Sequence, residues 1–319
     1  MKIEEIIKEI KPLDEAAMQS ARARQDTLTK PRGSLGRLEE LSIQLAGMKA
    51  DPLPVVERKA VIVMAADHGV AREGVSAYPP EVTAQMVLNF LRGGAAINVL
   101  ARQAGARVTV VDIGVAVEFE AAPGLIRRKV MCGTRNQAQG PAMTRAEAEQ
   151  ALQVGVDVLN EEAARGLDIV ATGDMGIGNT TPSSAIAAAL TGLPVAQVVG
   201  RGTGIDDQGL ERKTKIIEQA LSVNHPDAND AMDVLHKVGG LEIAGLAGAM
   251  IAAANRRIPV VVDGFISTAA AMIAVGLAPR VRDYLIAAHQ SVEIGHQAML
   301  RHLDLAPLLD LNLRLGEGT

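Results

Sequence analysis

The stretch Val61-Ile62-Val63-Met64-Ala65-Ala66-Asp67-His68-Gly69 decides how this chain folds. Its first six residues are continuously apolar and do not alternate with polar ones, the pattern of a strand buried on both faces of a parallel sheet. A polar cluster and a glycine then end it. The same pattern returns at residues 108–113, 168–171, 195–199, 258–262 and 285–287, each time separated by longer stretches of helical spacing. Strand then helix, repeated about six times, predicts an α/β fold: a doubly wound, Rossmann-like, mostly parallel sheet flanked by helices.

The helices between the strands have legible ends. Pro79-Pro80 opens one in its first turn, Val82, Met86 and Phe90 mark its buried face, and Gly93-Gly94 ends it. Asp206 or Asp207 caps a helix that runs through Lys213 to Ala220, and Thr144 with Glu147 forms a capping box. The first fifty residues read as helices joined by turns, the third with Leu38, Leu41, Leu45 and Met48 on its apolar side. The expected division is a Rossmann-like domain over 57–310, with 1–56 and 311–319 forming a smaller helical part.

Composition narrows the function. The 319 residues are 48% hydrophobic and 22% charged, with 31 Gly, 14 Pro, two Tyr, three Phe and no Trp. A net charge of −5, without a basic stripe or aromatic stacking platforms, argues against a nucleic-acid partner. Cys132 is the sole cysteine, which excludes an intrachain disulfide and suits a reducing compartment. With no His near it in sequence, it is a poor nucleophile. The first ten residues form an acidic amphipathic pattern and not a signal sequence. The most apolar tract, 243–278, is interrupted by Asn255, Arg256, Arg257 and Asp263, so no membrane span is expected. These features lead to an expected location in the cytoplasm.

In such sheets a ligand lies beyond the carboxyl ends of the strands, and the polar and glycine residues collect there. Gly173-Asp174-Met175-Gly176-Ile177-Gly178-Asn179-Thr180-Thr181 places three glycines and two hydroxyls between a strand and a helix. Backbone N–H groups aimed by a helix N-terminus suit phosphate, although the same residues make an ordinary tight turn. Gly200, Gly202 and Gly204 form a second glycine loop followed by Lys213, which is either a ligand cation or a solvated helix lysine. Asp67, Asp112, Asp174 and Asp263 at strand ends could bind metal, bind ribose hydroxyls, or cap the helices after them. His289, Glu293, His296 and His302 are expected on one helix, where Glu293 and His296 share a face; a solvated or core-edge histidine is favoured over a metal ligand. Glu317, set between Gly316 and Gly318, is either part of a frayed tail or a carboxylate with the backbone freedom to reach a site.

Together these stretches resemble the nicotinate-nucleotide–dimethylbenzimidazole phosphoribosyltransferase family. The matching motifs are Lys30-Pro31-Arg32-Gly33-Ser34-Leu35-Gly36-Arg37-Leu38-Glu39, Ala66-Asp67-His68-Gly69-Val70 with Glu73-Gly74-Val75, the loop from Asp174 to Pro182, Val238-Gly239-Gly240, Asp263-Gly264-Phe265 and Arg314-Leu315-Gly316-Glu317-Gly318. They span nearly the whole chain in order. The resemblance implies transfer of a 5-phosphoribosyl group from nicotinate mononucleotide to 5,6-dimethylbenzimidazole in cobalamin nucleotide-loop assembly, by a homodimer. The pyridinium leaving group departs neutral, so no metal and no cofactor are called for.

The resemblance further implies Glu317 as the general base and Asp174 facing the reacting ribose. Gly176, Gly178, Gly202, Gly204, Lys213, Asp263 and Ser291 would hold the nucleotide, and Tyr78, Met86 and Leu315 would line the flat base pocket. Two departures stand out. The family usually carries Glu at Asp174, and its chain continues past Gly-Glu-Gly, so Glu317 is expected to be mobile before substrate binds. Two other readings keep the fold: a metal-dependent phosphohydrolase using Asp67, His68, Asp112 and Asp263, and a non-catalytic nucleotide sensor.

Overall fold

Residues 60–66 are all buried, and their side chains divide between two cores as strand geometry requires. Ile62, Met64 and Ala66 enter the larger core, whereas Val61, Val63 and Ala65 enter the smaller one on the opposite face. The computed structural model describes residues 2–120 and 122–319. Its strands are β1 (Lys59–Ala66), β2 (Ala106–Gly114), β3 (Leu125–Arg127), β4 (Ile169–Met175), β5 (Val260–Val262) and β6 (Leu285–Ala287). They form one sheet in the order β3-β2-β1-β4-β5-β6, parallel at every pairing. The reversal of order between β1 and β4 is the position where doubly wound folds bind ligands.

Among the described residues twelve helices flank the sheet: α1 (Ile3–Glu9), α2 (Glu15–Thr27), α3 (Arg37–Lys49), α4 (Val82–Leu91), α5 (Ala96–Ala104), α6 (Arg145–Ala164), α7 (Thr180–Thr191), α8 (Asp207–Asn224), α9 (Ala231–Val238), α10 (Leu241–Asn255), α11 (Phe265–Leu277) and α12 (Ile294–Leu303). α10 is buried along nearly its whole length. It lies so close to α6 that a Cβ at Gly155 would collide with the Gly245 carbonyl, and one at Gly248 with the Leu152 carbonyl. α1 packs Ile3 and Ile6 into the larger core, and Arg257 ties the α2–α3 pair down by donating to the carbonyls of Gly47, Met48 and Pro12. Among the described residues no helix is long and apolar enough to cross a membrane.

The capping assignments agree with the structure. Asp206 accepts from the Gly209 N–H at 2.8 Å, and Thr144 and Glu147 cap reciprocally. Other expectations are corrected. Residues 195–199 do not form a strand: Val195–Gln197 is a 3₁₀ turn after Pro194, and the Val195 carbonyl is consumed locally by Val198 and Val199. The sixth strand is instead the edge β3, half-buried and ending in Arg127, without the buried apolar run of the others. The buried face of α4 is Thr83, Val87 and Phe90, with Val82 and Met86 only half-buried. On α3 the buried residues are Ala46, Gly47 and Met48, and Leu38 is exposed.

The start of the sheet is fastened by Asp168. Its carboxylate accepts the backbone N–H groups of Glu57 and Arg58 at 3.1 and 2.9 Å and the Arg58 guanidinium at 2.6 Å. Those bonds, led by the Arg58 side chain and working against burial, hold the carboxyl below the ordinary aspartate range. A carboxyl whose pKa is lowered on folding stabilises above its unfolded pKa, and that contribution disappears as pH falls through the folded value. Asp168→Asn is therefore expected to destabilise by about 2 kcal/mol at neutral pH. In denaturant melts the gap between variant and wild type should narrow steadily below about pH 4.

Candidate active site

The parallel register carries the strand-end carboxylates to one edge. Asp174 pairs with Met64 and Asp112 with Ala65, so Asp67, just beyond β1, stands between them. None of the four aspartates caps the helix after its strand. Asp67 and Asp112 accept the N–H groups of Ala116 and Val115, Asp174 accepts from the Asn179 side-chain amide at 2.9 Å, and Asp263 accepts from Gly318 N–H at 3.0 Å. They fasten loops, and at Asp263 the loop fastened is the end of the chain.

A cleft of about 510 Å³ opens over this edge. Of the sequence candidates its wall contains Tyr78, Asp174, Gly202, Ser291 and Leu315, joined by Thr180, Phe265 and Glu293. The others lie outside the wall. Met86 packs against the smaller core, Gly178 lies against Ala71, and Gly204 stands exposed at the outside of its loop. Gly176 covers the His68 ring so closely that a Cβ would come within 3.0 Å of its Nε2. Asp263, Lys213 and Glu317 are buried beneath the wall.

Lys213 is a fully buried lysine and not a solvated one. From α8 its Nζ donates to Thr180 Oγ1 at 2.7 Å and to the Gly200 carbonyl at 3.1 Å, joining the first residue of α7 to the second glycine loop. Burial pulls its pKa down to about 8, against the opposing charge of Glu293. That loop follows the 3₁₀ turn, not a strand. Glu293 Oε1 in turn accepts the Gly202 N–H at 2.9 Å.

The last residues cross over β4 and β5. Gly316, Glu317 and Gly318 all have left-handed backbone, with φ of 83°, 66° and 95°. Gly173 has no space for a Cβ because the Glu317 carbonyl rests on it. The Glu317 carboxylate accepts the Ile97 N–H at 3.3 Å, satisfying an otherwise orphan donor in the first turn of α5. At 6% exposure and held from three sides, Glu317 is anchored, contrary to the expected mobility. The fastening is non-covalent: a backbone seat on Gly173, the Asp263–Gly318 bond and the α5 N-terminus.

Burial and mutual repulsion set the charges here. Asp174 is pushed well above the aspartate range by burial and then by Asp263 and Glu242, outweighing the Asn179 bond. Burial raises Asp263 to about 6 against the N–H groups of Gly318 and Gly264. Glu317 is raised by burial, with the Ile97 and Ala96 N–H groups opposing.

Glu242 has no counterpart in the sequence candidates. It is fully buried in the first turn of α10 and bonded to His68 Nε2 at 2.8 Å beneath Gly176. Burial disfavours charge on His68, but Glu242 and Asp67 outweigh it and raise the imidazole pKa. The only signal for Glu242 was its place two residues after Gly239-Gly240. The expected single helix for the histidines is corrected: His289 and Glu293 precede α12, and His302 is exposed on it. His296 is buried between Thr268 Oγ1 and the Ser291 N–H, and burial takes its pKa to about 4.

Glycine loops, a buried lysine and carboxylates at the carboxyl edge of a parallel sheet define a nucleotide-handling α/β enzyme, and a family model described as phosphoribosyltransferase matches residues 10–319. A nicotinate-nucleotide–dimethylbenzimidazole phosphoribosyltransferase from Roseiflexus sp. (strain RS-1) is 63% identical over 99% of this chain and 90% of its own. One of the same name from Geobacter sulfurreducens is 59% identical over 99% and 90%. The crystal structure of CobT from Thermus thermophilus superposes with a TM-score of 0.92 at 51% identity, covering 95% of this chain and 91% of that one. The chain belongs to the nicotinate-nucleotide–dimethylbenzimidazole phosphoribosyltransferase family.

The seat of the tail is open to a direct test. Gly173→Ala inserts a methyl group where the Glu317 carbonyl rests. The folded variant is expected to lose hydrogen-exchange protection at the Ile97 amide while the buried amides of β1 keep theirs. Unchanged protection at Ile97 would show that the tail does not depend on Gly173.

Proposed function

We propose that this enzyme transfers the 5-phosphoribosyl group of nicotinate mononucleotide to 5,6-dimethylbenzimidazole with inversion at C1′, giving α-ribazole 5′-phosphate and nicotinate. The substrates follow the name shared by its relatives. The observation that supports the chemistry is the course of residues 315–318: Leu315 and Gly316 line a nucleotide-sized cleft with Asp174, while Glu317, buried directly behind them, rests on Gly173 of β4 and Gly318 is held by Asp263.

A benzimidazole nitrogen attacks C1′ from the face opposite the nicotinate. The C1′–N bond breaks with its electron pair passing to the pyridine nitrogen, so nicotinate leaves without needing a proton. The remaining ring N–H of the azole becomes acidic as its partner nitrogen is alkylated, and Glu317 takes that proton. The raised pKa of Glu317 makes it a better base than an ordinary glutamate, and the Ile97 amide holds it until the azole arrives. Asp174 faces the ribose. The cationic pyridinium supplies the opposite charge that lets this carboxyl ionise, after which it stabilises positive charge developing at C1′.

Lys213, Gly176, Gly178, Gly202, Gly204, Asp263 and Ser291 serve the nucleotide in this reading, and Tyr78, Met86 and Leu315 the base. A cytoplasmic homodimer belongs to the same reading, supported by the free Cys132 and the family. Hydrolysis through a metal is less well supported. Among the described residues no three His, Cys, Asp or Glu side chains converge to hold one, and Asp67, Asp112 and Asp263 are each engaged by a backbone amide.

Glu317→Gln is expected to lower turnover by about 10²–10⁴ while nicotinate mononucleotide still binds. In the wild type, kcat should fall on acidification with a midpoint above the ordinary glutamate range, because protonated Glu317 accepts no proton. Near-wild-type turnover in the variant would remove Glu317 from the mechanism.

A further inference from the structure

The Gly202 N–H, a donor the proposed function gives to the nucleotide, is already occupied. Glu293 Oε1 accepts it at 2.9 Å. Glu293 lies just before α12, is 7% exposed and lines the cleft. Its second oxygen, Oε2, is buried without a hydrogen-bond partner among the described residues, and Gly200 lies so close that a Cβ there would collide with it. Lys213 uses two of its three N–H bonds on Thr180 and Gly200, which leaves one for a further acceptor. A lysine, a hydroxyl and a glycine amide are donors a phosphate uses, and here one of them, the Gly202 N–H, is held by a carboxylate whose charge is felt by the Lys213 ammonium.

We infer that Glu293 is an internal anion seated on the phosphate donors of the cleft, which the 5′-phosphate of the nucleotide must displace. The inference rests on the nucleotide reading of the cleft and adds to it a residue that sets how tightly any phosphate must bind. A carboxylate and a phosphate dianion cannot share one set of donors, so every anion that enters competes with Glu293. Inorganic phosphate brings only its charge and competes poorly. A nucleotide adds contacts from ribose and ring, and so wins the seat. Displacing Glu293 weakens both ligands by the same factor, which moves free phosphate, the weaker binder, out of the range in which it fills the site. Its charge also offsets part of the burial that lowers the Lys213 pKa. The bland alternative is a latch that only fixes the shape of the glycine loop. The two differ in where Glu293 goes: a latch stays on Gly202 when an anion binds, whereas a competitor leaves it, and only a competitor's vacated position can be refilled by a small carboxylate.

Glu293→Gln keeps an acceptor for the Gly202 N–H and removes the charge. Calorimetric titration should show this variant binding inorganic phosphate about tenfold tighter than wild type or better, the direction that loss of a buried like charge demands. With Glu293→Ala, added formate should compete with inorganic phosphate by refilling the carboxylate position. A wild-type crystal soaked with nicotinate mononucleotide should show Glu293 withdrawn from Gly202, a readout that needs no variant to fold. Unchanged or weaker phosphate binding in folded Glu293→Gln, or Glu293 still on Gly202 beside a bound nucleotide, overturns the inference. If phosphate tightens as expected but nicotinate mononucleotide binds neither protein, the seat stands and the substrate assignment fails.

Discussion

The contact between α6 and α10 is the constraint on which the rest of the molecule depends. At Gly155, Gly245 and Gly248 each backbone approaches the other without side chains between them, which places α10 low between α6 and the sheet, where Gly245 also meets Ile113 and Met64. The N-terminal turn of α10 then arrives at the end of β1 and delivers Glu242 to His68. His68 lies directly under Gly176, so the glycine loop that carries Asp174 and Asn179 rests on a hydrogen-bonded His68–Glu242 pair positioned by a helix contact in the core. A larger residue at Gly155 or Gly248 would raise α10 from the sheet and move the floor of the cleft with it. The scarcity of aromatic residues follows from the same packing: helices that meet backbone to backbone leave no volume for rings.

The strands and glycine loops were legible because their signals are local. Unbroken apolar runs such as 61–66 read correctly as doubly buried strands, and Thr144 with Glu147 caps α6 through residues three positions apart. Residues 195–199 carried the same apolar signal, but Pro194 and the turn bonds of the Val195 carbonyl keep them out of the sheet. β3 went unseen because it is only half-buried and its two apolar residues run into Arg127, whereas β6, equally short and also at an edge, is apolar and buried throughout. In the cleft the limit is different. Nothing local to Glu293 tells that it meets Gly202, some ninety residues away, and nothing local to Glu242 tells that it meets His68. These pairings exist only after the sheet has closed, so spacing in the chain cannot show them.

Asp174, Asp263 and Glu317 impose a local cost on the fold. Burial raises the pKa of each above its ordinary range, and neighbouring carboxylates raise Asp174 and Asp263 further. The protein moderates this with backbone donors, Gly318 to Asp263 and Ile97 to Glu317, and not with arginine or lysine. A fixed cation at the floor would neutralise the carboxylates permanently. Amide dipoles hold Asp263 and Glu317 in place without a permanent counter-charge.

The backbone of the tail makes the same point in another form. Gly316 and Gly318 adopt left-handed φ without steric penalty, but Glu317 between them does not, and a non-glycine residue held there costs on the order of 1–3 kcal/mol. A third glycine would remove that strain. The strain persists because the surroundings over-determine it: Gly173 seats the Glu317 carbonyl, Asp263 holds the next N–H, and α5 takes the carboxylate. None of these contacts needs a glutamate for folding except the last, which an N-cap residue at Ala95 could supply as well. The strained residue is thus held by contacts that fix both its backbone and the position of its carboxylate at the N-terminus of α5.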